Sequence, residues 1–357
     1  MASPSTHEHV HAPPRVGDDS VFARACRREP TPFTPIWLMR QAGRYQPEYR
    51  RIREKMTLLD ICRTPDVAAQ VTLMAVEQLG VDAAIIFSDI LLVATPMGFN
   101  LEFVSGEGPV IDNPVRSARD VKRIGEVDIS ELDYVSDALR ITRGSLPSDV
   151  GLIGFAGAPF TVASYLIEGG KSLAYTRTKT LMHTDADTWH ALMGKLVSVI
   201  AVYLNRQVEA GANAVQLFDS WVGALCPDDY RRYVLPHMSE LITRIDGPAS
   251  VIHFMTGNPA LLPLMKEAGG DVIGLDWRVD LAQAWDTLGH DVAVMGNLDP
   301  VVLYCDHATI RAHARAILEK ASSRPGHIFN LGHGIAPTMA VENVRALVDA
   351  VHELSNT

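Results

Sequence analysis

Residues 39–55, MRQAGRYQPEYRRIREK, hold six basic and two acidic residues, a local excess of four positive charges in a chain whose formal net charge is −10. Such a cluster is a candidate anion site. Arg40 and Arg44 stand four residues apart, which puts them on one side of either a helix or a strand. Guanidinium forks pair with carboxylates through two parallel hydrogen bonds, so a ligand with several carboxylates suits this spacing better than a single phosphate. Gln41, Ala42 and Gly43 lie between the two arginines, and Arg53 follows in the same run. Arg50, Arg51 and Lys55 read instead as a solvated face pairing with Glu48 and Glu54.

Other polar residues fall just past apolar runs: Asp89 after IIF, Asp219 and Ser220 after QLF, Asp276, Trp277 and Arg278 after IGL, Asn297 after VMG and His333 after FNLG. The ends of strands are the working rim of a (β/α)8 barrel. Turn and helix-cap duty is the competing reading, because Asp, Ser and Asn favour caps for reasons unrelated to catalysis. Gly332 and Gly334 around His333 also allow a phosphate-cradling turn.

The elements that must position these residues are short apolar runs at 36–39, 83–87, 151–155, 214–218, 251–254, 272–275, 292–295 and 327–331, each closed by a polar or glycine turn. Amphipathic stretches separate them. In residues 184–210, Trp189, Leu192, Met193, Leu196, Val199, Ile200, Tyr203 and Leu204 recur at three- and four-residue steps, the period of a half-buried helix. Alternation of this kind predicts either a single (β/α)8 TIM-type barrel or a doubly wound sheet. One departure is residues 100–115, where LEFV and PVID flank a glycine-rich turn and predict a short hairpin inserted after the second strand.

With 357 residues, 47% of them hydrophobic and 21% charged, the chain has the composition of a globular protein with one large core. No Gly/Ser-rich linker divides it, so residues 20–357 are expected to form one domain. Residues 1–19 lack periodicity and are expected to be a flexible tail in which His7, His9 and His11 are solvated. Cys26, Cys62, Cys226 and Cys305 are scattered without a C-x-x-C pair, which suggests neither a disulfide framework nor a zinc knuckle. The acidic balance argues against a general affinity for nucleic acid or acidic membranes. No apolar run reaches the length of a membrane span, and the first residues carry no signal-peptide pattern, so a cytoplasmic location is expected.

Residues 35–50, PIWLMRQAGRYQPEYR, resemble the N-terminal signature of the uroporphyrinogen decarboxylase family, and GFAGAPFTVASYLIEGG at 154–170 resembles its second signature. The likeness continues through IIFSDIL at 85–91, LFDSW at 217–221, GNLDP at 296–300 and FNLGHGI at 329–335. It implies a (β/α)8 barrel, commonly a homodimer, that converts uroporphyrinogen III to coproporphyrinogen III by removing CO2 from four acetate arms. The resemblance implies neither cofactor nor metal, because the substrate's own protonated pyrrole can accept the electrons of the breaking bond.

By the same resemblance, Asp89 accepts hydrogen bonds from the pyrrole N–H groups and offsets the cationic intermediate. Arg40, Arg44 and Arg53 grip the carboxylate arms, with Gln41, Ala42 and Gly43 beside them. Arg40 joins Asp89 as a candidate catalytic residue, although a guanidinium with a pKa above ~12 is a poor proton donor and a water or carboxyl held by it is easier. Tyr165, Ser220 and His333 hydrogen-bond carboxylates from other sectors, while Met39, Phe155 and Phe218 supply apolar contact or core packing. Two positions depart from the family's pattern: Trp221 stands where animal members commonly have histidine, and Asp219 where many have glutamate.

Two other readings compete. A corrinoid-dependent methyltransferase of the same fold would carry a His-x-Cys zinc site, but the matching residues are His253, Phe254 and Met255, and methionine supplies no thiolate. A tetrapyrrole-binding protein without catalysis would need the arginines but not Asp89.

Overall fold

The structure, a computed structural model, describes residues 17–104 and 106–356. The expected tail falls outside the described residues up to position 16. Residues 17–19 form a turn tied to the body by Asn213 Nδ2, which donates to Asp18 Oδ1 at 2.9 Å.

Strands β1 (Ala83–Ile85), β2 (Leu101–Val104), β3 (Gly108–Ile111), β4 (Gly151–Gly157), β5 (Ala214–Asp219), β6 (Ser250–Met255), β7 (Val272–Gly274), β8 (Ala293–Met295) and β9 (His327–Ile328) appear in chain order. Seven of them form one parallel, curled sheet in the order β1-β4-β5-β6-β7-β8-β9. Parallel strands covered on both faces must be apolar throughout, and every residue of β4, GLIGFAG, is buried. Alternate positions face inward: Ala83, Ile153, Ala214, Ile252, Val272, Ala293 and Ile328 share one apolar cluster with Trp37 and Met39. Phe22, from the helix Val21–Cys26, plugs this cluster where the strands begin, and Gly151 admits it, since a Cβ there would lie 2.4 Å from the ring.

Helices cover the outer face. The longest, Ala186–Glu209, buries the whole stripe expected from its spacing, and Asp185 caps it by accepting from Thr188 N at 3.1 Å. No helix among the described residues is long and apolar enough to cross a membrane. All four cysteines are free thiols.

The run at 36–39 is not a regular strand. Ile36 makes one parallel bridge to Phe329, Phe329 N donates to Pro35 O at 2.8 Å, and Asp82 N donates to Ile36 O at 2.9 Å. Beyond that, side chains take over the backbone groups a ladder would use. Leu38 N donates to Gln41 Oε1 and Met39 N to Asn330 Oδ1. The hairpin is present, β2 pairing antiparallel with β3, and it lies against the end of the helix Pro159–Glu168 through Ile111 N to Gly169 O at 2.9 Å.

Overpacking a close backbone contact costs about 1–3 kcal/mol. Gly151→Ala is therefore expected to lower the urea unfolding midpoint measurably, and an unchanged midpoint would mean that Phe22 does not plug the sheet.

Candidate active site

A cavity of about 790 Å³ opens where the sheet strands end. That size is toward the upper end of small-molecule sites. Arg40, Ala42, Gly43, Arg44, Arg53, Asp89, Phe155, Tyr165, Phe218, Ser220 and His333 all line it. Of the residues that the family resemblance assigns to substrate binding, only Gln41 does not.

Gln41 is buried behind the wall. Its Oε1 accepts from Leu38 N and its Nε2 donates to Ala83 O, each at 3.0 Å, so it staples the arginine loop to β1. The loop turns at Arg40, whose φ of 64° lies in the left-handed region. Met39 on one side is fixed through Asn330 Oδ1 at 3.1 Å and through Ile335 N, which donates to Met39 O at 2.9 Å. Arg40 then runs over Gly334, where a Cβ would lie 2.5 Å from its Cδ. Gly332 is equally filled, since a Cβ there would lie 2.1 Å from Trp277 N. The glycines around His333 thus make room for neighbours rather than cradling a phosphate.

Arg50 is exposed, as its expected solvated role requires, and it also serves the loop. Its guanidinium donates to Arg44 O and Tyr45 O at 3.0 Å and braces the loop. Arg53 donates to Met56 O while reaching the cavity.

Asp89 follows β1 and is the only acidic side chain among the described lining residues. Burial raises its pKa to about 6, against the opposing pull of the Leu91 N–H, 2.8 Å from Oδ1, and of Arg40. Burial likewise lowers the pKa of Arg40, helped by the charge of Arg44 and opposed by Asp89 and Tyr165. His333 is pushed down by burial and then by Arg40, which favours its neutral form.

Tyr165 is held from behind by a chain of contacts that spacing does not reveal. Its ring stacks on Trp221 with centroids 3.8 Å apart, and Trp221 N donates to Thr161 Oγ1 at 3.2 Å. Thr161 Oγ1 in turn donates to Asp219 Oδ1 at 2.8 Å. Asp219 is fully buried, and burial raises its pKa to about 7. Thr161 and Tyr165 sit one turn apart on the helix Pro159–Glu168, which is the only local sign of the link.

Asp276 and Asn297 prove to be turn residues. Asp276 accepts from Gly257 N and Arg278 N at 2.9 and 2.7 Å, and Asn297 Nδ2 donates to Asp276 O and Val279 O. Arg278 pairs with Asp276 and lies over the Trp277 ring at 3.7 Å. His253 is buried outside the cavity that its neighbour Phe254 lines, and no cluster of three or more His, Cys, Asp or Glu suited to a metal occurs among the described residues.

The family model described as uroporphyrinogen decarboxylase (URO-D) matches residues 18–354. The chain belongs to the uroporphyrinogen decarboxylase family. A uroporphyrinogen decarboxylase of Sorangium cellulosum is 54% identical over 335 residues, covering 93% of this chain and 96% of that one. One of Carboxydothermus hydrogenoformans is 52% identical over 340 residues, covering 95% and 97%. Among solved structures, a methyltransferase from Methanosarcina mazei superposes with a TM-score of 0.77 at 21% identity, covering 94% of this chain and 98% of that one, a likeness of fold.

A carboxyl whose pKa rises on folding costs stability once it must ionise. For Asp89 the cost is absent below about pH 4, grows as pH rises toward 6, and is complete above it. Asp89→Asn is therefore expected to stabilise the empty protein at pH 8 by about 1–3 kcal/mol and to change little at pH 4. Chemical denaturation at the two pH values checks this; equal effects at both would remove the burial argument.

Proposed function

We propose that this protein removes CO2 from the four acetate arms of uroporphyrinogen III to give coproporphyrinogen III. The observation that carries the reading is a lone half-buried carboxylate, Asp89, in a wide cavity whose walls hold Arg40, Arg44 and Arg53. A polycarboxylate ring needs cations at its edge and an acceptor for the N–H groups at its centre. The cavity's aromatic side chains, Phe155, Phe218 and Phe254, suit the apolar body of the macrocycle.

In the reaction, a proton adds to a pyrrole carbon beside the acetate-bearing position and leaves the ring cationic. The C–CO2 bond then breaks, its electron pair flows into the ring, and CO2 departs. The resulting methylene takes a proton to become methyl, and loss of the added ring proton restores the pyrrole. One proton is consumed for each CO2 released. The ionised Asp89 carboxylate accepts the pyrrole N–H groups and lowers the energy of the cation through a preorganised charge that needs no rearrangement. Arg40 holds a protonated substrate carboxyl or a water that delivers the proton, since the guanidinium itself remains a weak acid. Arg44 and Arg53 grip further arms with Tyr165, Ser220 and His333, which fixes the ring relative to Asp89.

The same reading includes closure of the sheet into a (β/α)8 barrel, with residues 36–39 as the eighth segment between β9 and β1. The parallel bridge of Ile36 to Phe329 on one side, and the hydrogen bond from Asp82 N to Ile36 O on the other, support it. It also includes a single domain from residue 20 onward, homodimeric assembly and a cytoplasmic location.

Anaerobic incubation with uroporphyrinogen III, followed by oxidation and chromatography, is expected to convert the eight-carboxylate porphyrin to the four-carboxylate one. Unchanged eight-carboxylate porphyrin from folded protein would sink the proposal. Asp89→Asn is expected to reduce kcat by 100-fold or more, on the order of what removing one preorganised charge costs, with much less change in KM. Full turnover by that variant would refute the role of Asp89 alone.

A further inference from the structure

The cavity wall carries one cation beyond the arginine loop. Lys171 lies three residues past the helix Pro159–Glu168 and lines the cavity together with Phe103, Val104, Gly106, Gly108 and Pro109 of the hairpin. Its place is set by backbone contacts. Gly169 ends the helix with φ 88° and its carbonyl accepts from Ile111 N at 2.9 Å. Gly170 follows against the Pro109 carbonyl, 3.4 Å from where a Cβ would stand, and delivers residue 171 onto the hairpin.

The lysine stem then crosses Gly108. A Cβ at that position would lie 2.8 Å from Lys171 Cε and 3.2 Å from Nζ, so the absence of a side chain there opens the path the stem follows. Gly108 also has φ 87°, a conformation that L side chains rarely adopt. The hairpin thus presents a bare backbone track along which a long aliphatic stem can lie with its ammonium at the cavity. Asp89 is the only acid among the described lining residues, against Arg40, Arg44, Arg53 and Lys171. The wall therefore has more cations than carboxylates of its own to pair with them, a surplus that a polyanionic ligand would neutralise.

We propose that Lys171 is a further substrate anchor, pairing its ammonium with a peripheral carboxylate of the bound tetrapyrrole from the hairpin side of the cavity. The assignment rests on the function proposed above. An ammonium is a compact charge without the planar fork of a guanidinium, so it attracts a carboxylate without fixing that group's plane. That chemistry suits an arm held for charge rather than for reaction.

The test compares wild type, Lys171→Met and Lys171→Arg by equilibrium binding of uroporphyrin, the oxidised eight-carboxylate ring, and by steady-state turnover of uroporphyrinogen III. Lys171→Met is expected to weaken uroporphyrin binding and raise KM by about fivefold to tenfold, with kcat within about twofold of wild type. The difference in binding is expected to shrink at high salt, and Lys171→Arg to retain most of the affinity because charge is what acts. Wild-type affinity in Lys171→Met, or a loss that Lys171→Arg shares in full, would overturn the assignment. If wild type binds uroporphyrin without decarboxylating uroporphyrinogen III, the proposed reaction fails while the binding comparison still decides Lys171. If wild type does not bind uroporphyrin, both fail.

Discussion

The turn at Arg40 is the constraint on which the site depends. A residue with a long side chain is held in left-handed backbone, which is uncommon outside glycine and needs compensation. Here it comes from Asn330, Ile335 and Gln41, which take up the polar backbone groups of Leu38 and Met39 just before the turn. The turn ends the apolar run 36–39 as a strand-like segment and starts the arginine loop. Since Asn330 and Ile335 come from the far end of the chain, the loop that opens the sequence is set by residues that close it.

Two carboxyls, one half-buried and one fully buried, then divide the work of the rim. Asp89 faces the cavity and keeps an opposing cation, Arg40, within electrostatic reach. Asp219 faces away, with Thr161 as the donor to one oxygen, and through Thr161 and Trp221 it sets the back of Tyr165. Burial raises the pKa of both, to about 6 and about 7. The same physical cost is met at one position where a ligand can enter and at the other where protein surrounds the group.

Much of the architecture was legible from periodicity. The stripe in Ala186–Glu209 and seven of the eight apolar runs are where they were expected, because strand and helix patterns record burial directly. The run 36–39 was not legible as the bridge it forms, because its backbone partners are side chains at 41 and 330, and amide acceptors leave no periodic mark. The arginine loop and Asp89 stood out through charge and motif. Gln41 did not betray its inward staple, since a glutamine between two arginines looks like part of a binding surface. Asp276 and Asn297 followed the cap and turn alternative that their residue types allow. Lys171 was hidden because its place depends on the missing side chain of Gly108, a contact across more than sixty positions.

Phe22 fills the sheet's interior at the end opposite the cavity, with Gly151 closing around it. The cavity is therefore a blind socket rather than a tunnel. Under the proposed reaction, a ring with four acetates has to be reoriented between losses of CO2, and the floor offers it no through route. A partly converted ring that lets go leaves by the way it came, into the same pool as fresh substrate. Competition at that single mouth then governs how far each molecule is carried in one visit, so the spread of intermediates becomes a function of substrate supply.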